Sequence, residues 1–175
     1  MNRNKKITIL IGCFFVCLVW FWNQHKDINT VLRRIDYPFE VGEVVCIEEI
    51  EKNTTMVIYT NKRDIHKLQN VIIRKKGLFY NDIYLSGSLK ILQPTELKSG
   101  SRRTGMLVFW YDKSDKYILM CVSYDKDVKT IKHKDQILIS TQFKGYNIFW
   151  GLGNGRYEDY KLYDKEENEL ESIKP

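Results

Sequence analysis

Apolar residues fill the stretch from Ile7 to Trp22 with Thr8 and Gly12 as its only relief, immediately after Asn4-Lys5-Lys6. As a helix, sixteen residues rise about 24 Å, short of the roughly 30 Å hydrocarbon core of a bilayer. The flanks make up the difference: lysines snorkel at one end, while Trp20, Phe21 and Trp22 suit the interface at the other. The pattern therefore predicts a single transmembrane signal anchor, with Ile7, Leu10, Phe14, Phe15, Leu18, Trp20 and Trp22 as its lipid-facing residues. A cleaved signal needs small residues in an A-x-A-like site, and the chain contains no alanine. Leu10-Ile11-Gly12-Cys13 imitates a lipoprotein signal, but lipidation at Cys13 would leave Phe14-Phe15-Val16 at the start of the mature protein. Arg3, Lys5 and Lys6 precede the span without an acidic neighbour, which predicts a cytoplasmic N-terminus and an extracytoplasmic remainder.

The period changes after the anchor. Ile28, Val31, Leu32 and Ile35 have helical spacing between Asp27 and Pro38, which predicts a short amphipathic juxtamembrane helix. From residue 40 the chain becomes a series of short β-branched and aromatic runs, among them Met56–Tyr59, Val71–Ile73, Met106–Tyr111, Tyr117–Val122 and Asn147–Trp150. Turn signals separate them, including Asn61–Asp64, Lys76-Gly77, Ser86–Ser88, Lys144-Gly145 and Gly151–Gly155. Three Tyr-Asp-Lys sequences, at 111, 124 and 163, end strand-like runs where an Asp side chain can bond its own backbone. The predicted class is mainly β: a transmembrane helix, a short amphipathic helix, then an antiparallel β-sandwich, Ig-like or related. Its predicted parts are residues 1–24, 25–39 and 40–175, the last subdivided by the polar loop 94–105.

Charge narrows the partners. Setting aside Arg3, Lys5 and Lys6 leaves 25 of the 28 basic residues against 22 acidic ones, dispersed along the chain. With no recognisable module or basic stripe, nucleic acid is not an expected partner. A mildly basic surface beside a bilayer suits anionic lipid or wall polymer. Cys13 and Cys17 lie in the span. Cys46 and Cys121 fall in strand-like runs, where a disulfide closing so long a loop would stabilise by about 3–4 kcal/mol, and two free buried thiols are the alternative.

Catalytic motifs are missing. His25, His66 and His133 lack a second ligand at metal spacing, and His133, between lysines, reads as a surface residue. No C-x-x-C, calcium loop, nucleophile elbow or phosphate loop occurs, so neither metal nor cofactor is expected. Gly151-Leu152-Gly153-Asn154-Gly155 reads as a flexible loop, because residues 156–163 alternate like a strand and offer no helix N-terminus. Glu48, Glu49 and Glu51 have no sugar cleft to serve. The aromatic residues Tyr146, Phe149, Trp150, Tyr157 and Tyr160 form a candidate binding patch, in competition with simple core packing.

Ile50-Glu51-Lys52, Met56–Tyr59, Val71–Leu78 and the ending Tyr160–Leu170, behind a basic start and one apolar segment, carry a resemblance. In these features the chain resembles a group of uncharacterised small membrane-anchored or secreted β-domain proteins of endospore-forming Gram-positive bacteria. The resemblance implies an envelope location and a β fold, and supplies no catalytic residue. The lysine-rich, alanine-free usage agrees with an AT-rich bacterial genome. The expected function is that of a binding module at the bacterial cell envelope, meeting a wall polymer or an envelope protein. The alternatives are a surface-tethered inhibitor or immunity-type protein, and an envelope enzyme with an unrecognised site.

Overall fold

A computed structural model describes residues 3–36, 38–91, 104–111 and 115–173. Among these residues two helices, α1 (Arg3–His25) and α2 (Ile28–Leu32), precede twelve strands. These are β1 (Val41–Glu51), β2 (Thr54–Asn61), β3 (Lys67–Lys76), β4 (Phe79–Lys90), β5 (Thr104–Trp110) and β6 (Lys116–Ser123), then β7 (Thr130–His133), β8 (Gln136–Ile137), β9 (Ile139–Phe143), β10 (Tyr146–Asn154), β11 (Tyr160–Tyr163) and β12 (Glu169–Ile173). All pairings are antiparallel. The protein is mainly β, as its run pattern predicts.

Where two sheets were expected, the strands form three, each of four strands: β1-β2-β3-β4, β5-β6-β10-β9 and β12-β11-β7-β8. We call them A, B and C. Side-chain alternation explains how they share cores. Met56 and Ile58 of β2 meet Ile118, Met120 and Val122 of β6 and Ile148 and Trp150 of β10 in one apolar cluster between A and B. The intervening residues point the other way. Leu119, Cys121 and Phe149 join Ile131, Tyr160 and Leu162 of sheet C, while Val57 and Tyr59 meet Val31 and Leu32 of α2. Sheet B is thus covered on both faces, which is why β6 and β10 read as unbroken apolar runs rather than as alternating ones.

Helix α2 is the amphipathic helix predicted after the anchor. The Asp27 carboxylate accepts the Thr30 N–H at 2.7 Å, satisfying a donor that the first helical turn leaves free. This bond holds the Asp27 pKa below the ordinary carboxylate value. The expected turns at Lys76-Gly77 and Lys144-Gly145 are present, with Gly77, Lys144 and Gly145 all at positive φ. A two-residue turn with positive φ at both positions matches the twist of a hairpin. The third Tyr-Asp-Lys sequence is also a turn: Asp164 accepts the backbone N–H groups of Glu166 and Asn168. The proposed boundary loop at 94–105 lies mostly outside the described residues.

The apolar run Ile7–Trp22 is helical as expected, within α1. Among the described residues, however, no helix is long and apolar enough to cross a membrane. The purely apolar part spans about 24 Å of helix, and the remaining turns of α1 are polar. Its apolar side chains are exposed on every side, Phe14 and Trp20 each to 63%. Among the described residues its last turns touch the β region: the Phe21 and Trp22 rings meet Phe79 edge-on, and His25 Nδ1 lies 2.9 Å from the Tyr80 carbonyl.

Candidate functional site

The start of β6 and the end of β10 lie side by side, with Lys116 opposite Asn154 and Tyr117 opposite Gly153. At this end of sheet B, the last residue of β1 and the β7–β8 turn come together around a cavity of about 330 Å³. Glu51, Tyr111, Lys116, His133, Gln136 and Asn154 are among its walls. The Lys116 ammonium is 2.5 Å from the Glu51 carboxylate, and the Tyr111 hydroxyl donates to the same oxygen at 3.4 Å. Lys134 is paired with Glu158 at 3.4 Å. The cavity wall mixes polar and apolar surface, with Leu152 and Gly153 beside the charged groups, and each of these carboxylates and ammonium groups has an opposite charge beside it.

Its inner wall is a histidine sealed among tyrosines. His133 is only 3% exposed. Nδ1 lies 3.2 Å from the Asp159 carbonyl, which can only accept, so Nδ1 carries the proton. The lone pair on Nε2 then accepts the Tyr117 hydroxyl at 2.5 Å. Tyr157 stacks on the imidazole, its centroid 5.4 Å away, and its own hydroxyl donates to Met106 Sδ. Burial is the largest influence on this group and lowers the His133 pKa; Lys134 lowers it further, while the Asp159 bond and Glu158 oppose the shift. Burial likewise raises the pKa of Tyr117 and Tyr157. The ring is held neutral, as an acceptor.

That assignment fixes a pH dependence. An unfolded histidine titrates near 6.5, and the folded one lower. Above the unfolded pKa both states are neutral and stability is complete. As pH falls below it, the unfolded chain binds the proton first, and stability declines until the folded pKa is passed. The urea midpoint of the wild-type protein should therefore fall between pH 7.5 and 5.5 by more than that of His133→Gln. Equal declines in the two proteins would refute the neutral buried imidazole.

The reading of His133 as a surface residue is therefore corrected. Its flanking lysines face outward, while β7 alternates and places His133 on the buried face with Ile131. That alternation in Thr130-Ile131-Lys132-His133 was the available signal. The flexible loop expected at 151–155 is also corrected, because β10 continues through Asn154. Gly153 has no side chain because the Tyr117 ring occupies the place of its Cβ, and Leu138 crowds Gly151 similarly. In a strand, glycine here marks close approach rather than flexibility.

The five aromatic residues proposed as a surface patch do not form one. Phe149, Trp150 and Tyr160 are buried, Phe149 to 1% exposure. Phe149 and Trp150 occupy the two covered faces of β10, and Tyr160 lies on the buried face of β11. Tyr157 packs on His133, and Tyr146 lines a separate cavity of about 410 Å³ at the opposite end of sheet B, with Lys126, Lys129 and Lys144. Cys46 and Cys121 are free rather than bridged. Cys46 packs in the cluster between A and B, and Cys121 faces C, so sheet B itself stands between them. Burial pushes the Cys46 thiol up to about 11 and the Cys121 thiol higher still, which leaves both as unreactive thiols at neutral pH. A reducing agent should leave the melting temperature unchanged; a drop of several degrees on reduction would restore the bridge.

Among the described residues no group of histidine, cysteine and carboxylate could hold a metal ion. No family model matches the chain, and neither a curated protein nor a solved structure is found to be similar to it.

Proposed function

We propose that the protein is a single-pass, membrane-anchored binding module with its stacked, sandwich-like β region outside the cytoplasmic membrane of a bacterium. The observation that carries this reading is the all-round exposure of the apolar residues of α1, Ile9 to Trp22. A soluble helix keeps one polar face, and a continuous apolar cylinder in water would be a strong association surface. Lipid covers such a cylinder without another protein. The shortness of the apolar run is met by tilting less, by local thinning and by the aromatic and basic flanks. The basic residues before it place the N-terminus in the cytoplasm. On cell fractionation, the full-length chain should stay with membranes through high salt and alkaline carbonate and leave only with detergent. Release by carbonate alone would end the anchored reading.

For the binding role, the cavity beside His133 is the preferred site. Its polar groups are largely compensated, which suits an uncharged, hydroxyl-rich ligand such as a wall glycan more than a strong anion. Trp110, exposed beside Tyr117 at 5.7 Å between ring centroids, offers an apolar ring face next to it. Binding to wall glycan should fall at least tenfold in Trp110→Ala and in Gln136→Ala, measured by co-sedimentation with purified wall. Unchanged binding in both would exclude this cavity.

A second reading, the tethered inhibitor, is favoured by one feature. Ile137 and Ile139 point outward at 66% and 52% exposure from β8 and β9, each at the edge of its sheet. Apolar residues on an unpaired edge suit a protein that adds a strand. Surface crosslinking that captured one protein through position 137, and no polymer, would favour this reading over the first.

A further inference from the structure

The turn between β3 and β4 is Gly77-Leu78, and it sits against the C-terminal end of α1. Phe79, the first residue of β4, packs edge-on against both Phe21 and Trp22, with centroids 5.0 and 5.6 Å away. One residue further, the Tyr80 carbonyl is bonded by His25. These contacts fix the height of the hairpin relative to the helix. Leu78, at the tip, is 66% exposed and turned away from every apolar cluster. Gly77 at φ +60 allows the tight turn that presents it. On the ascending strand, Lys75 and Lys76 flank the tip, with the Lys75 ammonium 5.4 Å from the Tyr80 ring centroid.

We infer that the β3–β4 hairpin tip is a second membrane contact, inserting Leu78 into the interface of an anionic bilayer beside the outer end of α1. This inference rests on α1 being a membrane anchor. The occupant of the tip is set by continuity: Trp20 and Trp22 are exposed at the end of α1, Trp22 meets the half-buried Phe79 edge-on, and the exposed Leu78 is the next residue. Trp22 belongs at headgroup level in any placement that buries Phe14 and Leu18. Because the hairpin is locked to Trp22, Leu78 is carried to the same level. The short apolar run strengthens the argument, since a span about 6 Å shorter than the hydrocarbon core draws the adjoining residues against the headgroups. Lysines beside an inserted leucine are the arrangement expected of a surface-seated loop facing anionic lipid.

Photocrosslinking tests it. The full-length protein carrying benzoylphenylalanine in place of Trp20, Leu78 or Ile137, one position at a time, is reconstituted into vesicles of phosphatidylcholine and phosphatidylglycerol and irradiated. Phospholipid adducts are then counted by mass spectrometry. Adducts are expected at positions 20 and 78, with at least tenfold fewer at 137. Adducts at 20 without any at 78 would overturn the hairpin contact and leave the anchor standing. No adduct at 20 would remove the anchored reading, and the hairpin contact with it. Equal yields at 78 and 137 would also overturn the inference, because the tip would then be no closer to lipid than a distant edge.

Discussion

Phe149→Ala should destabilise the β region by about 3–5 kcal/mol, the largest single effect expected of any truncation in the chain. The ring is almost completely buried between sheets B and C, beside Leu119, Cys121, Ile131 and Leu162. It belongs to the middle of β10, whose neighbours β6 and β9 are both paired to it at that point, at Cys121 and Ser140. Neither sheet can close over the void without breaking those ladders, so the cavity term adds to the lost transfer energy. A domain of this size loses roughly 2–4 °C for each kcal/mol, so a fall in melting temperature of about 10 °C is expected. A fall of less than 3 °C would mean that the two sheets are not packed against each other at this position.

Gly153→Val should have the second largest effect, about 1–3 kcal/mol or more, through overpacking. A Cβ at this position falls within the Tyr117 ring, so the ring has to leave. Its departure removes the hydroxyl from His133 Nε2 and opens the inner wall of the cavity. A second readout separates this from general destabilisation. The His133 imidazole, followed by NMR in the still-folded variant, should titrate closer to the ordinary histidine value as water reaches it. Unaltered titration together with unaltered stability would show that Tyr117 does not depend on the bare strand beneath it.

Both effects bear on what was legible in the sequence. Periodicity located α2, the turns at Gly77 and Lys144-Gly145 and most of the strands, because each depends on neighbouring residues: an Asp before an apolar face, a Gly where φ turns positive; the turn expected at Ser86–Ser88 instead lies within β4. The number of sheets was not legible in that way. An unbroken run such as Tyr117–Val122 asks for cover on both faces, but it does not say what supplies the second, and that cover, sheet C, comes from the sparse apolar residues of β7 and β11, such as Ile131, Tyr160 and Leu162. The aromatic patch failed for the same reason. Phe149 and Trp150 are consecutive, and consecutive residues of a strand can both be buried only when both faces are covered. The cavity was less visible still. Glu51 and Lys116 are 65 residues apart, and Tyr117 and His133 are joined only by the packing of B on C.

Sheet A is a plain up-and-down meander, whereas sheet B has to wait: β7 and β8 are laid into sheet C before β9 and β10 return to complete the ladder begun by β6. During synthesis the first sheet can therefore assemble as soon as residue 90 emerges, from contacts between successive strands. The central sheet depends on a closure across some thirty residues, which is slower to form. A nascent chain halted near residue 135 would display β6 with no partner for its open side, an adhesive strand in a half-made protein. The interval between the emergence of β6 and that of β10 is thus the step at which this protein is most exposed to aggregation, and the earliest at which a chaperone would be of use to it.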